Sequence, residues 1–545
     1  DLDCLAGTRY GLKKWIGLPG ENRPLIMCEY AYAIGNALGG FNEYWKAFRE
    51  YPRLQGGFIW DWADRPLKRQ KEGESWYVYG GDYGEKEHDL QYCMSGLVLP
   101  DRTPHPTLFE AQHAQQFFQF SITNHQPLTI RVQSEYLFRH TDNEYLRWNI
   151  THNGVECCRG ETTLLLQPEG GMEIVLLNEI PCFEQPGEVW LNVSVHQAHA
   201  TPWAEEGYRV AWDQYPLPVA MVLAAPETTL MPAPAELCSQ EDKAIIVQGH
   251  QRWQFNRKTG WLEQWWINDE PQLLSPLMDD FLRAPTGVDL SHREVPINEH
   301  LGLRQLSTVL FEEGVDVPDT PESWAVYWYQ AGMFTPRIEC SDFHAQQLPD
   351  GVEITTMHTW RNARGDILYT SRKIWRSENN GGLHVCVQVE VSPQIKSVAR
   401  VGLRTQLSHI APQARWLGMG PEENYPDRQS AAQFGLWQQS LNALHSPYIF
   451  PMENGLRCHL RELQYGALQV SGDDFHFALS RYSREQLTTT THRHLLQEED
   501  GVWLTLDAQH MGVGGDDGWS LCIPEAFLLN QRKYRYSLHF GCVNK

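Results

Sequence analysis

Along residues 1–118, short apolar runs alternate with segments of helical period. Arg23-Pro24 leads into Leu25-Ile26-Met27-Cys28, an apolar run that predicts a short strand ending at Glu29. After Gly35-Asn36, which marks a helix start, Phe41, Trp45 and Phe48 fall at i, i+4 and i+7 on one helix face, and Pro52 stops that helix. Gly56-Gly57 opens a second strand, Phe58-Ile59-Trp60-Asp61-Trp62. Strand, helix and strand within about 40 residues predict a βαβ unit of a parallel sheet.

From residue 119 to 230 the period changes to two, as in Leu128, Ile130 and Val132 and again in Val189, Leu191, Val193 and Val195. Asn153-Gly154 supplies a hairpin turn between such runs, so a sandwich of immunoglobulin size is expected. Pro216, Pro218, Pro226, Pro232 and Pro234 then crowd a stretch that suits a stiff linker. Residues 231–545 carry many short alternating segments, among them Ala244 to Val247 and Leu383 to Val391, which predict a large antiparallel sandwich without internal repeats. The fold class expected is multidomain and mainly β.

Composition narrows the function classes. The 545 residues hold 45 Lys plus Arg against 68 Asp plus Glu, and the net charge of −23 repels polyanions, so nucleic acid is excluded as a partner. The longest apolar run, Val219 to Ala225, is far too short to span a bilayer. Twelve cysteines follow no repeating spacing, and Cys28, Cys386 and Cys522 sit in apolar runs, as reduced thiols of a cytoplasmic protein would. The chain opens Asp1-Leu2-Asp3-Cys4, without an initiator Met or a signal segment, and is expected to be the later part of something longer.

Glu29 is the first candidate for chemistry, because it stands where an apolar strand stops, and parallel barrels carry their active sites at the C-terminal ends of strands. Position alone equally allows a carboxylate that complements the following helix dipole. Trp60, Asp61 and Trp62 end the next strand, so in a barrel they flank Glu29, either as a face for a pyranose ring or as core packing. His492-Arg493-His494 places two imidazoles on one face of a strand, but no third ligand is spaced to join them. Gly418-Met419-Gly420 lacks the third glycine of a dinucleotide loop, and Asp516-Asp517 suits a turn better than a calcium loop.

The run from Leu25 to Phe41 (LIMCEYAYAIGNALGGF), followed by Gly56-Gly57-Phe58-Ile59-Trp60-Asp61-Trp62, resembles the nucleophile region of glycoside hydrolase family 2. The segments DRTPHP at Asp101, GPEENYPDR at Gly420, ENGLR at Glu453 and GGDDGW at Gly514 are similar to the large members that cleave terminal beta-D-galactosides such as lactose, and the likeness covers essentially the whole chain. The resemblance implies the end of a TIM (β/α)8 barrel over residues 1–118, an immunoglobulin-like sandwich over 119–230 and a large sandwich over 231–545. It also implies that Glu29 is the nucleophile of a retaining glycosidase and that Trp60 ends the eighth barrel strand.

A retaining glycosidase needs a second carboxylate as acid/base. In the family this is the Glu of an Asn-Glu pair, and none of Asn42-Glu43, Asn143-Glu144, Asn178-Glu179 and Asn298-Glu299 is expected at a barrel strand end. The acid, six barrel strands and the magnesium ligands are therefore expected on a missing N-terminal half, the complete enzyme being a homo-oligomer. Alone, this chain is expected to be inactive; the rival reading is a non-catalytic carbohydrate-binding or assembly module. Three positions depart from the family pattern: Tyr32 replaces a His that contacts sugar hydroxyls, Ser95, near Tyr92, replaces an Asn that helps bind sodium and the sugar 6-hydroxyl, and Arg283 to Asp289 lacks a polar Asp-Asn pair. The resemblance makes Trp519 an aglycone platform, against the alternative of a Trp packed under its own sandwich.

Overall fold

A computed structural model describes residues 20, 22–218, 234–290, 323–379, 381–518 and 520–543. Among these, 28 strands dominate and the helices are short. Most of the Pro-rich stretch, together with Asn298-Glu299 and Trp519, lies outside the described residues.

The N-terminal apolar runs form β1 (Leu25–Tyr32) and β2 (Leu54–Trp60), which pair in parallel. Between them runs α1 (Phe41–Glu50), ending before Pro52 as its sequence predicts. Glu43 in its first turn and Arg49 in its last complement the helix dipole. Its apolar face brings Phe41 and Tyr44 onto Tyr30 of β1, with ring centroids 5.6 and 5.3 Å apart. A second helix, α2 (Pro106–Ala114), adds Ala111 and Ala114 to this core.

Three local expectations are corrected. β1 does not stop at Glu29 but continues to Tyr32, whose N–H donates to Gly515 O at 2.8 Å, so a segment distant in sequence completes the strand end. Gly35-Asn36 does not begin the helix, which starts at Phe41 behind a left-handed Gly40. The loop between is buried because remote groups satisfy it: Gly35 N–H donates to Met94 O at 3.1 Å and Asn36 Nδ2 to Glu453 O at 2.7 Å. Cys28 is exposed rather than packed, since the face of β1 on which it lies has no covering element among the described residues.

After a short hairpin of Leu67–Lys71 and Glu74–Val78, the following seven strands form a three-stranded and a four-stranded sheet that share one core. Leu128, Ile130 and Val132 from one sheet and Leu191, Val193 and Val195 from the other are buried together, which is the alternation their period predicts. Asn153 and Gly154 have φ of 49° and 75°, as a two-residue turn of the mirror-image type requires. Beyond it, a five-stranded sheet and a curled twelve-stranded antiparallel sheet enclose the largest core. The eleven described cysteines are free thiols. No helix among the described residues is long and apolar enough to cross a membrane.

Candidate active site

Glu29 lies on β1, while Trp60 ends β2 and pairs across it with Tyr32. Ala33 N–H donates to Trp60 O at 3.0 Å, and Asp61 N–H donates to Ser95 O at 2.5 Å, so the two strand ends and the Ser95 turn form one rim. The Trp60-Asp61 peptide is cis. Glu29 is exposed over much of its surface, yet partial burial first and the Asp61 carboxylate second raise its pKa above the ordinary value. Arg65 sits 3.5 Å from Asp61 and over the Trp60 ring at 5.2 Å, a cation that composition and spacing did not single out.

Tyr32 fills the space beside Ser95. Its phenol is pushed up to about 12, by burial first and then by Glu29, with the Trp60 and Ser95 side chains facing it. Ser95 is fully buried, and Tyr92 packs its ring 6.4 Å from that of Tyr32. The Tyr92 hydroxyl donates to Gly518 O.

The last domain grips this rim at successive positions. Gly514 O accepts from Gly39 N–H at 2.6 Å, Gly515 O accepts from Tyr32 N–H, and Asp516 Oδ1 accepts from the Tyr44 hydroxyl at 2.6 Å. Asp517 orders its own turn by accepting from Ser520 N–H and Oγ at 2.8 and 2.6 Å, in keeping with the loop-ordering role expected of it. Asp427 fastens the same loop by accepting from Val513 N–H at 2.9 Å and Gly514 N–H at 2.8 Å, while its carbonyl accepts from Gly40 N–H at 2.6 Å. Arg428 donates to Ala37 O at 2.6 Å and to Glu423 Oε1 at 2.7 Å. The segment quoted at Gly420 thus buttresses the loop after β1, a role that only the tertiary structure discloses.

The Arg283–Asp289 segment is wholly buried: Arg283 forms a two-pronged ion pair with Asp289 at 2.8 and 2.9 Å and also donates to Met511 O and Gly512 O. Behind the rim, His105 Nε2 lies 2.8 Å from Asp64 Oδ2, and Asp64 Oδ1 accepts from Gly96 N–H. His492 and His494 are not on a strand. They lie at a 3-10 turn, where His492 pairs with Asp82 at 2.8 Å and His494 stacks on Trp76, because local turn bonds override the alternating pattern. Gly418 and Gly420 belong to the strand Gln413–Gly420 and build no phosphate loop.

Among the described residues, β1 and β2 are the only strands of a two-stranded parallel sheet, and Ile26, Phe58 and Trp62 stand 57, 67 and 59% exposed on or beside it. A face this apolar is far from what a finished barrel presents.

Comparison with known proteins agrees with these features. The family model for the beta-galactosidase small chain matches residues 247–540, that for the TIM barrel domain of family 2 glycosyl hydrolases matches residues 7–120, and that for beta-galactosidase domain 4 matches residues 130–218. Similar relatives include a beta-galactosidase of Pectobacterium atrosepticum, 48% identical over 97% of this chain and 49% of its own length, and one of Erwinia tasmaniensis, 48% identical over 98% and 49%. Beta-galactosidase 2 of Enterobacter cloacae is 46% identical over 98% of this chain and 49% of its length. The chain therefore spans about half the length of the curated relatives it matches. The small-chain model alone covers more than half of the sequence, so the chain belongs to the beta-galactosidase small-chain family, preceded by segments that match domain 4 and the barrel domain of glycoside hydrolase family 2.

Proposed function

We propose that this chain carries the nucleophile side of a retaining beta-galactosidase, with Glu29 attacking the anomeric carbon. The observation that supports this most is the convergence of Glu29, Tyr32, Trp60 and Ser95 at the C-terminal rim of a parallel strand pair, where barrel enzymes do their chemistry. Glu29 displaces the aglycone to form a glycosyl ester, and water later releases the sugar with retention. Protonation of the leaving oxygen falls to a carboxylate about 5–5.5 Å away, borne by barrel strands outside this chain. Trp60 presents an indole face to the sugar, and Trp519, outside the described residues, serves the aglycone side.

Magnesium, which the family implies, belongs to barrel residues outside this chain. Sodium would have to use Tyr92 and Ser95, and two hydroxyls alone, one directed at Gly518 O and the other enclosed beside the Tyr32 phenol, fall short of the oxygen set that such a cation takes. The exposed Phe58 and Trp62 support association with the rest of the barrel, which the rival reading of a non-catalytic assembly module shares.

Turnover separates the two readings. The chain alone should be inactive and tend to associate through its open strand edges. With the rest of the barrel supplied, it should hydrolyse a chromogenic galactoside, and a mechanism-based 2-fluorogalactoside should label Glu29. Label on another residue of an active complex refutes the assignment; reconstitution without turnover favours the assembly module.

A further inference from the structure

Far along the chain from the rim of β1 and β2, the strands Arg457–Tyr465 and Leu468–Ser480 pair with register shifts on both sides of Leu460. At this irregularity His459 has φ of 58°, a left-handed backbone that suits glycine and disfavours any residue with a Cβ. A histidine kept there brings a side chain whose chemistry is worth locating. Its Nδ1 lies 3.1 Å from each oxygen of Asp474, and its backbone N–H donates to His476 Nδ1 at 3.0 Å. The two imidazoles stand nearly perpendicular, with centroids 5.3 Å apart. One ring nitrogen from each histidine and one oxygen of Asp474 all fall within 4.8 Å of one another.

We propose that His459, Asp474 and His476 form a site for a divalent transition-metal cation of the zinc class, held by two imidazoles and one carboxylate and completed by water. Two nitrogen donors and one oxygen match what zinc takes in open sites and select against magnesium and calcium, which want oxygen alone. His476 is the buried wall of the site, and its ring stands against His459 from the neighbouring strand. Asp474 is exposed and His459 half-buried, which leaves the cluster open to an ion from solvent. The nearby cation does not block it: Arg461 is 3.5 Å from Asp474 but is also paired with Glu188 of the neighbouring sandwich, and exposed Asp473 adds negative charge beside the site. A bound cation would replace both the His459–Asp474 contact and the His459 N–H bond to His476, since a neutral imidazole has a single ring lone pair to give, and would fasten the two strands where their register breaks.

The test is titration of the EDTA-treated full chain with zinc chloride by calorimetry, repeated with cobalt(II) followed by visible absorption. One equivalent of zinc should bind at micromolar concentration, with a cobalt spectrum of low symmetry. His459→Gly removes one ligand while relieving the left-handed backbone, so it should keep the parent's circular dichroism and melting temperature yet weaken zinc binding by about 100-fold or more, the upper end of what losing an outer-shell partner costs. Asp474→Asn should weaken it in the same sense. No stoichiometric binding, or binding that His459→Gly leaves unchanged because other histidines hold the metal, overturns the proposal.

Discussion

Gly39→Ala tests how tightly the last domain holds the loop after β1. A methyl placed on Gly39 would lie 2.0 Å from Asp427 Oδ2, 2.5 Å from its Cγ and 2.9 Å from Gly514 O, and must retreat to the 3.4 Å at which ordinary contact begins. Neither obstacle yields easily. Asp427 is held by two amides, from Val513 and Gly514, and Gly514 O is itself the acceptor for Gly39 N–H at 2.6 Å. Overpacking a filled site costs about 1–3 kcal/mol, and losing one or two of these hydrogen bonds adds about 0.5–1.5 kcal/mol each. The loop should therefore open more easily by about 1.5–6 kcal/mol, which at ~1.4 kcal/mol per tenfold is about 10- to 20,000-fold in amide protection. Hydrogen exchange read on a peptide covering Ala33 to Phe41 measures this without requiring a chain of this size to unfold in one step. Gly541→Ala, where nothing lies within 4 Å, is the neutral control. In an Asp427→Ala background the methyl enters vacated space, so its cost should fall by about 1–3 kcal/mol. Unchanged protection in Gly39→Ala, or an equal loss in both backgrounds, would show that the loop is not fastened as described.

Glu29→Gln in a reconstituted enzyme should abolish turnover while sugar binding persists, as kcat and an inhibitor Kd would show. Restoring the family pattern with Tyr32→His and Ser95→Asn together should raise kcat/KM for galactosides by a few-fold to about tenfold; Ser95→Asn alone should do less or harm, because the buried serine has the Tyr32 phenol against it. His358 is held near 4 by burial and then Lys373, stacks on Trp261 and has Nε2 2.8 Å from Thr259 O. Its folded pKa is depressed below the unfolded one near 6.5, so its contribution is intact above that value and is lost as pH falls toward 4. Stability should drop at about 1.4 kcal/mol per pH unit for this group, and His358→Phe should flatten that part of a urea-midpoint profile. Trp519→Leu should raise KM for lactose with little change in melting temperature; a large thermal loss with unchanged kinetics would make Trp519 a core residue.

The strand, helix and strand at the start of the chain were legible because their signals are local: the 3.6 period of Phe41, Trp45 and Phe48 and the apolar runs around Ile26 and Ile59 need no distant partner. The Asn153-Gly154 turn was legible for the same reason, since backbone sterics at two residues decide it. Glu29 stood out by its place at an apolar run and by resemblance. What stayed hidden is tertiary. Asp427 and Arg428 act on Gly40 and Ala37, hundreds of positions away, and nothing in their spacing announces it. His459 and His476 meet only because a register shift turns one strand, whereas the conspicuous His492 and His494 are occupied by Asp82 and Trp76. Cys28 misled because an apolar run does not say whether its covering layer belongs to the same chain.

The grip of the Gly514–Gly518 loop on the strand end also sets a schedule. Tyr44 and its acceptor Asp516 are 472 residues apart. At ~5–20 residues per second, a ribosome needs roughly 25–95 s to bring the second after the first. Throughout that interval β1, α1 and β2 can assemble from their own contacts, while the stretch from Tyr32 to Gly40 still lacks its final acceptors. The rim bearing Glu29 is thus among the last places in the chain to reach its mature geometry. Synthesis that stops just before Gly514 would leave the nucleophile present and its strand pair formed, yet without the clamp that shapes the rim. Truncation of a few dozen C-terminal residues should therefore be as damaging to the site as a lesion beside Glu29 itself.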